Sequence, residues 1–229
     1  MSRNTQNNYL RTFGYVLRRT NYGEADRILN IITPLGKVSA IAKGVRKEKS
    51  KLAGGVEMFS LIDFNIYKGR GDFGTVTGAK MIKYYGDILK NYDRMEMAAG
   101  FLKKISLASE SSDSEEYFNI LGQGLVALNS QSDLRLIEAW FLLNLARAGG
   151  EEINLYRDVN GEKLEISKSY DWNKEESAFF ERGNGEFSAD DIKLLRLMVT
   201  NDFNIIKKIR VSEGVIDKVL YFAKIISRM

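Results

Sequence analysis

The feature that most limits what this chain can fold into is a change of texture near Gly86. From Leu10 to about Gly86, short runs rich in Val, Ile, Phe, Tyr and Thr alternate with turn signals. Beyond it, apolar residues recur every three to four positions. The first pattern is that of strands and the second that of helices. Five runs carry the strand signal: "LRTFGYVLRR", "ADRILNIIT", "KVSAIAK", "VEMFSLIDFNIYK" and "FGTVTGAKMIKYY". Pro34, the single proline of the chain, marks the turn between the second and third, and "GRGD" splits the last two as a hairpin connection would. Five strands so spaced predict a small barrel, giving an α+β chain with one domain over 1–86 and a helical one over 87–229. The opening "MSRNTQNNYL" reads as a loose tail, with no apolar core of the kind a signal peptide needs.

Helix signals are specific in the second half. Residues 92–109 place Met97, Phe101, Leu102 and Ile105 on one side, and "SSDSEEYF" opens with serine and acid, as a helix N-terminus favours. "DLRLIEAWFLLNLARAGG" starts at an Asp cap, ends at Gly149-Gly150 and is apolar on nearly all sides, which predicts the central helix of a bundle. Its apolar run is shorter than a membrane span and is broken by Glu138, Asn144 and Arg147. Residues 151–187 turn polar, with short alternating pieces and Asn-Gly pairs at 160–161 and 184–185, which predicts a small β excursion with its strongest hairpin signal at Asn184-Gly185. Helix returns at "SADDIKLLRLM", where Ser188 and Asp191 have capping-box spacing, and again from Ser212.

Composition narrows the chemistry. The chain has no cysteine and no histidine, so disulfides, thiolate catalysis and the commonest zinc ligands are excluded, and a reducing cytoplasm is the natural home. Adjacent acids at Glu151-Glu152, Glu175-Glu176 and Asp190-Asp191 point about 100° apart on a helix and read as caps or solvated turns, not Mg²⁺ sites. "GRGDFGTV" matches a kinase glycine loop in letters. It is followed by strand-forming Thr75, Val76 and Thr77, however, and the chain lacks the histidine of the catalytic loop. A glycine-rich turn is the better reading, and an ATP-using transferase the weakest of the alternatives.

Charge then points to a partner. Residues 1–86 hold 15 Lys/Arg against 6 Asp/Glu, net +9, while 87–229 hold 19 against 24, net −5. In "IAKGVRKEKSKLAG" five cations, Lys43, Arg46, Lys47, Lys49 and Lys51, surround Glu48. Between the third and fourth barrel strands, a segment of about ten residues projects at most roughly 18 Å. Such a mobile, cationic projection follows a phosphate backbone without a fixed register. Tyr15, Tyr22, Phe59, Phe64, Tyr67, Phe73, Tyr84 and Tyr85 interleave with the basic residues; such rings stack on bases in single-strand binders, but alternation places most of them in a barrel core. No amphipathic or lipidated element suggests a membrane.

The stretch "TNYGEADRILNIITPLGKVSAIAKGVRKEKSK" resembles the N-terminal signature of the bacterial RecO recombination mediators: Tyr22-x-Glu24-x-Asp26, Thr33 and Gly36 around the turn, then Lys43-Gly44-x-Arg46-Lys47 and Lys49-Ser50-Lys51. Phe59, Gly69-Arg70-Gly71 and "LRLIEAWFLLNLARAGG" fit as well. The resemblance implies an oligonucleotide/oligosaccharide-binding (OB) barrel followed by a helical domain. It also implies a non-enzymatic protein that binds single- and double-stranded DNA, anneals strands, meets the single-stranded DNA-binding protein, and acts with RecR to load RecA, in the cytoplasm and on the nucleoid. Carried over by position, Lys43, Arg46, Lys47, Lys49 and Lys51 become DNA-backbone contacts, with Arg27, Lys68 and Arg70 beside them. Arg135 is the expected contact for the acidic tail of the single-stranded DNA-binding protein. Many relatives carry a four-cysteine zinc knuckle where this chain has 151–187, so no zinc or other cofactor is expected. Strand pairing with Tyr170, Trp172, Phe179 and Phe180 is expected to hold that region instead. The chain also stops at "SRM", short of the family's basic tail. An RNA-binding or protein-scaffold adaptor on the same barrel is the alternative reading, since fold alone does not fix function.

Overall fold

The computed structural model describes residues 8–69, 71–110 and 115–227. They form two compact units, one up to Asn129 and one from Ser130. The first is a five-stranded closed barrel joined by two helices. Its strands are β1 (Tyr9–Tyr22), β2 (Asp26–Thr33), β3 (Gly36–Ala42), β4 (Ser60–Tyr67) and β5 (Gly74–Tyr84), in the order β1-β2-β3-β5-β4. All neighbours are antiparallel except β3 and β5, whose short parallel pairing through Ala40–Gly74 and Ile41–Thr75 closes the barrel.

Closure depends on β1 serving two partners. Its first half pairs with β4 up to Gly14–Ile62 and its second half with β2 from Tyr15–Ile32, with a register shift between Val16 and Arg18. Gly14 sits where the strand changes partner, and a Cβ there would meet Ile31 Cγ2 at 2.5 Å and the Ile32 carbonyl at 3.0 Å. Only glycine lets the backbones approach so closely. Pro34 opens the β2–β3 turn as expected. It is held by the Thr33 hydroxyl, which donates to the Gly36 carbonyl at 2.8 Å and accepts from the Leu35 amide at 3.1 Å. Of "GRGDFGTV", residues 71–76 lead into β5 and open no helix. The interior is packed by Val16, Leu29, Ile31, Ile62, Phe64, Ile66 and Val76, alternate residues of the strands.

Helices α1 (Tyr92–Ala108) and α2 (Glu115–Leu128) belong to the same compact unit as the barrel. Ala98, Phe101, Leu102 and Ile105 form the buried stripe of α1, with Met97 half-buried beside it. Lys37 on β3 donates to the Ser106 carbonyl at 3.0 Å near the end of α1, and Tyr15 meets the ring of Phe118 on α2 at 5.1 Å. The serine-rich start proposed for α2, at 111–114, lies outside the described residues.

The second unit centres on α3 (Leu134–Ala148), capped by Asp133 and buried over most of its length, including Trp140, Phe141 and Leu143. Its one buried amide, Asn144, donates to the Trp140 and Met198 carbonyls at 2.8 and 3.0 Å, so no polar cost is left open. The excursion forms a three-stranded sheet, β6 (Asn154–Asp158), β7 (Tyr170–Asn173) and β8 (Ala178–Glu181), in the order β6-β8-β7. Helices α4 (Ala189–Thr200), α5 (Phe203–Ile206) and α6 (Glu213–Ile226) follow, α4 behind the expected Ser188–Asp191 capping box.

Two details of the excursion differ from the sequence reading. The β7–β8 hairpin turns at 174–177, whereas the turn at Asn184-Gly185, with the Gly185 amide donating to the Arg182 carbonyl at 2.9 Å, leads from β8 to an antiparallel bridge of Phe187 with Tyr170. The Asn173 side chain accepts the amides of Glu175 and Glu176 at 2.9 and 3.2 Å, and Ser177 takes the left-handed conformation at φ 47°. Phe180 also stays outside the aromatic cluster, because it alternates with buried Phe179 on β8. Its place is taken by Phe187 and Phe222, each with its ring centroid within 5.6 Å of Phe179, while Trp172 meets Phe179 and Phe222 at 5.0 and 4.8 Å.

Candidate nucleic-acid interface

The basic segment is not a free projection. It leaves β3 at Ala42 and folds back at once, because Gly44 adopts φ 63° and its amide donates to the Asp26 carboxylate at 2.7 Å. The Arg46 amide reaches the Ala25 carbonyl at 2.9 Å, and its guanidinium Nη2 donates to the carbonyls of Gly23 and Glu24 in the β1–β2 turn. Two further turns follow, Ser50 N to Lys47 O at 3.0 Å and Gly55 N to Leu52 O at 3.0 Å. Between these ties Val45 and Val56 join the barrel's hydrophobic cluster, and Leu52 packs against it. The expected reach of the segment is therefore not realised: burying two valines and a leucine outweighs an extended, solvated loop.

That anchoring sorts the side chains. Val45, Leu52 and Val56 face the barrel, while Lys43, Arg46, Lys47, Lys49 and Lys51 are all exposed. Elsewhere in the unit several cations are matched, Arg11 with Asp63 at 2.7 Å, Arg19 with Glu57 at 2.8 Å, Lys37 with Glu110 at 3.3 Å and Lys90 with Asp87 at 2.6 Å, while others such as Arg18 and Lys104 have no acid partner among the described residues. Hydrogen bonding to Arg11 holds the Asp63 carboxyl below its ordinary range. Among the described residues, none of the four lysines of the segment enters such a pair. Arg46 bonds its carbonyl partners from Nη2, one corner of a five-donor group, so its charge stays at the surface.

The remaining candidates fall around this cluster. Arg27 is half-buried at the start of β2, paired in register with Ala42, and donates to the Asn21 side chain at 3.3 Å. Lys68 is exposed just after β4, where its amide bonds the Asn8 carbonyl at 2.6 Å. Since β5 lies between β3 and β4, Lys68 is offset from the end of β3 by two strand spacings, about 10 Å. Arg70 lies outside the described residues. Of the eight rings singled out, Tyr15, Phe59, Phe64 and Tyr85 are buried, but Tyr22, Tyr67, Phe73 and Tyr84 are exposed. The core thus takes half of them, not most. Tyr9, placed in the loose tail by the sequence reading, is the first residue of β1 and pairs with Tyr67. Period-two alternation from Phe64 and Ile66 would have put Tyr67 outside; nothing local identified Tyr9.

In the second unit, Arg135 stands in the first turn of α3 among its own acids. It donates to Asp133 at 2.9 Å and to Asp217 on α6 at 3.0 Å, with Glu213 at 4.0 Å. Hydrogen bonding to Asp133, then to Asp217, raises its pKa further, and hydrogen bonding to Arg135 lowers that of Asp133. An acidic ligand at Arg135 therefore meets carboxylates already in place. Among the described residues, no group of His, Cys, Asp and Glu is arranged to hold a metal ion, and no helix is long and apolar enough to cross a membrane.

Comparison with known proteins agrees with this layout. Residues 8–85 match the family described as "Recombination protein O N terminal" and residues 104–224 the one described as "Recombination protein O C terminal". A DNA repair protein RecO of Rubrobacter xylanophilus is 39% identical over 142 residues, covering 61% of this chain and 57% of that protein. One from Alkaliphilus metalliredigens is 35% identical over 144 residues, 62% of this chain and 58% of that protein. These two matches thus span little more than half of each relative's length. A third, from Dehalococcoides mccartyi, is 26% identical over 216 residues, 91% of this chain and 85% of that protein. With both family halves matched in order along most of its length, the chain belongs to the RecO family of DNA repair proteins.

Proposed function

We propose that this chain is a non-enzymatic recombination mediator that grips single- and double-stranded DNA by the phosphate backbone. The observation that carries the reading is the set of five exposed cations, Lys43, Arg46, Lys47, Lys49 and Lys51, held on a segment tied to the β1–β2 turn. Arg27, Lys68 and Arg70 extend the grip. Neutralising phosphates reduces repulsion between complementary strands, while contacts confined to the backbone leave the base edges free to pair. That combination promotes annealing.

On DNA coated by the single-stranded DNA-binding protein, this grip and a contact of Arg135 with that protein's acidic tail bring the mediator to its substrate. There it works with RecR to load RecA. Relatives named DNA repair protein RecO support this setting.

The test is strand annealing with and without the cognate single-stranded DNA-binding protein, comparing the native chain with one carrying Lys43→Ala, Arg46→Ala, Lys47→Ala, Lys49→Ala and Lys51→Ala. Annealing should collapse in the variant, and unchanged annealing would overturn the proposal. Equal competition by RNA of the same sequence would instead favour the adaptor reading.

A further inference from the structure

The outer surface of the barrel carries a row of side chains that the backbone grip does not use. Strand register places Tyr9, Tyr67, Thr75, Ile41 and Ile28 side by side, one from each strand in the order β1, β4, β5, β3, β2. Their chain neighbours Leu10, Ile66, Val76, Ala40, Ala42 and Leu29 pack in the interior, so the row faces outward. Because the barrel is closed, this strip winds around its outside, so only adjacent members share a face. At one end, Tyr9 is 61% and Tyr67 36% exposed, with ring centroids 5.2 Å apart and planes inclined at 58°. At the other, Ile28 and Ile41 are half-buried beside Arg27 and Lys43. Lys68 follows Tyr67 directly, and exposed Phe73 sits in the same β4–β5 turn.

The electrostatics of the strip select its occupant. The five residues carry no carboxylate; Asp26 is engaged by the Gly44 amide and Asp63 by Arg11, which leaves Asp72, exposed in the β4–β5 turn, as the acid beside Phe73. A protein partner matched to this strip would need an acidic, apolar surface. A single nucleic-acid strand supplies both features in every repeat, a phosphate for the lysines and an unstacked base for the rings. Duplex DNA cannot, because its bases are already stacked. We infer that Tyr9 and Tyr67 form a base-stacking platform that gives this barrel a preference for single strands over duplex. The inference rests on the backbone-grip reading and adds to it a contact with the flat faces of the bases, which leaves their pairing edges free. A ring face accepts any base, so the platform is indifferent to sequence.

The test uses the full chain and three fluorescent probes of equal length: an oligo-deoxythymidylate, an abasic strand with the same phosphates, and a duplex. The native protein should bind the deoxythymidylate more tightly than the abasic strand. In Tyr9→Ala and Tyr67→Ala, affinity for the deoxythymidylate should fall roughly fivefold to a hundredfold per ring, while binding to the abasic strand and the duplex, and the salt slope, stay unchanged. Tyr9→Phe and Tyr67→Phe should keep the preference, which separates a lost ring from a lost fold. Tyr92→Ala, which removes a 69% exposed ring on α1, should change nothing. Equal native affinity for the deoxythymidylate and abasic strands would overturn the platform while leaving the phosphate grip intact. Equal losses on all three probes would also overturn it, and would point to the β1–β4 edge as a structural element. Loss of salt dependence in the native protein would remove the grip itself.

Discussion

Two adjacent glycines give opposite predictions that test how the basic segment is held. A Cβ on Gly55 would run directly into the Ala79 carbonyl oxygen, with the carbonyl carbon at 3.0 Å and Ala79 Cβ at 3.1 Å. Ala79 is fixed within β5, paired with Phe64 of β4, so the segment must give way. Overpacking of this kind costs about 1–3 kcal/mol. Displacement also draws Val56, fully buried at 0%, part of the way out, forfeiting some of the roughly 1.5–3 kcal/mol that full burial of a valine contributes. Gly55→Ala should therefore destabilise the barrel by about 2–4 kcal/mol. At Gly54 an added Cβ meets nothing within 4 Å. There the alanine should stabilise by about 0.4–1 kcal/mol, through the reduced entropy of the unfolded chain. Urea unfolding followed by far-ultraviolet circular dichroism suits the measurement, because both tryptophans, Trp140 and Trp172, lie in the 130–229 unit. With a slope of about 1–3 kcal/mol per molar urea, the two midpoints should separate by roughly 1 M or more. If the two variants behave alike, the segment is the free projection that the sequence suggested.

Asp26→Ala separates anchoring from simple charge. Removing a carboxylate beside the lysines should tighten DNA binding on electrostatic grounds alone, but loss of the Gly44 anchor should weaken it severalfold and cost about 1–3 kcal/mol of stability, as titration and unfolding would report. Burial first, then its hydrogen bond with Tyr85, raises the Tyr15 pKa well above the ordinary value of about 10. The unfolded chain therefore loses that proton first, so the contribution of Tyr15 to stability is level below about pH 10 and declines above it. In Tyr15→Phe the decline should be shallower by up to about 1.4 kcal/mol per pH unit, and an identical slope would remove Tyr15 as its source. Asp217→Ala frees one arm of Arg135 and should strengthen binding of an acidic peptide there, read by fluorescence anisotropy. Unaltered binding would place the peptide site elsewhere.

What could be read from the sequence is what neighbouring residues decide. The Pro34 turn, the Asp133 cap and the Ser188–Asp191 box involve groups within four positions of each other, and all three form as expected. The barrel was legible because in-out alternation is itself local. The seating of the basic segment depends on Val45 and Val56 meeting strands far along the chain. The clue, three apolar residues spaced among the cations of "GVRKEKSKLAGGV", was masked by the charge around them. The same limit explains Phe222, which reaches the excursion's aromatic cluster from α6, and Arg135, whose partner Asp217 is 82 positions away. The β7–β8 turn carried no signal of its own, because an Asn173 side chain does there what an Asn-Gly pair does in a tighter hairpin.

The central claim, a sequence-independent grip on the phosphate backbone by the β3–β4 segment, is tested most directly by the salt dependence of single-strand binding. Five phosphate contacts give a slope of log affinity on log salt of about −3.5, so a fourfold rise in salt should weaken binding by roughly 130-fold. Neutralising Lys43, Arg46, Lys47, Lys49 and Lys51 should bring the slope towards zero. A native slope already near zero, or one that the five substitutions leave unchanged, would contradict the account.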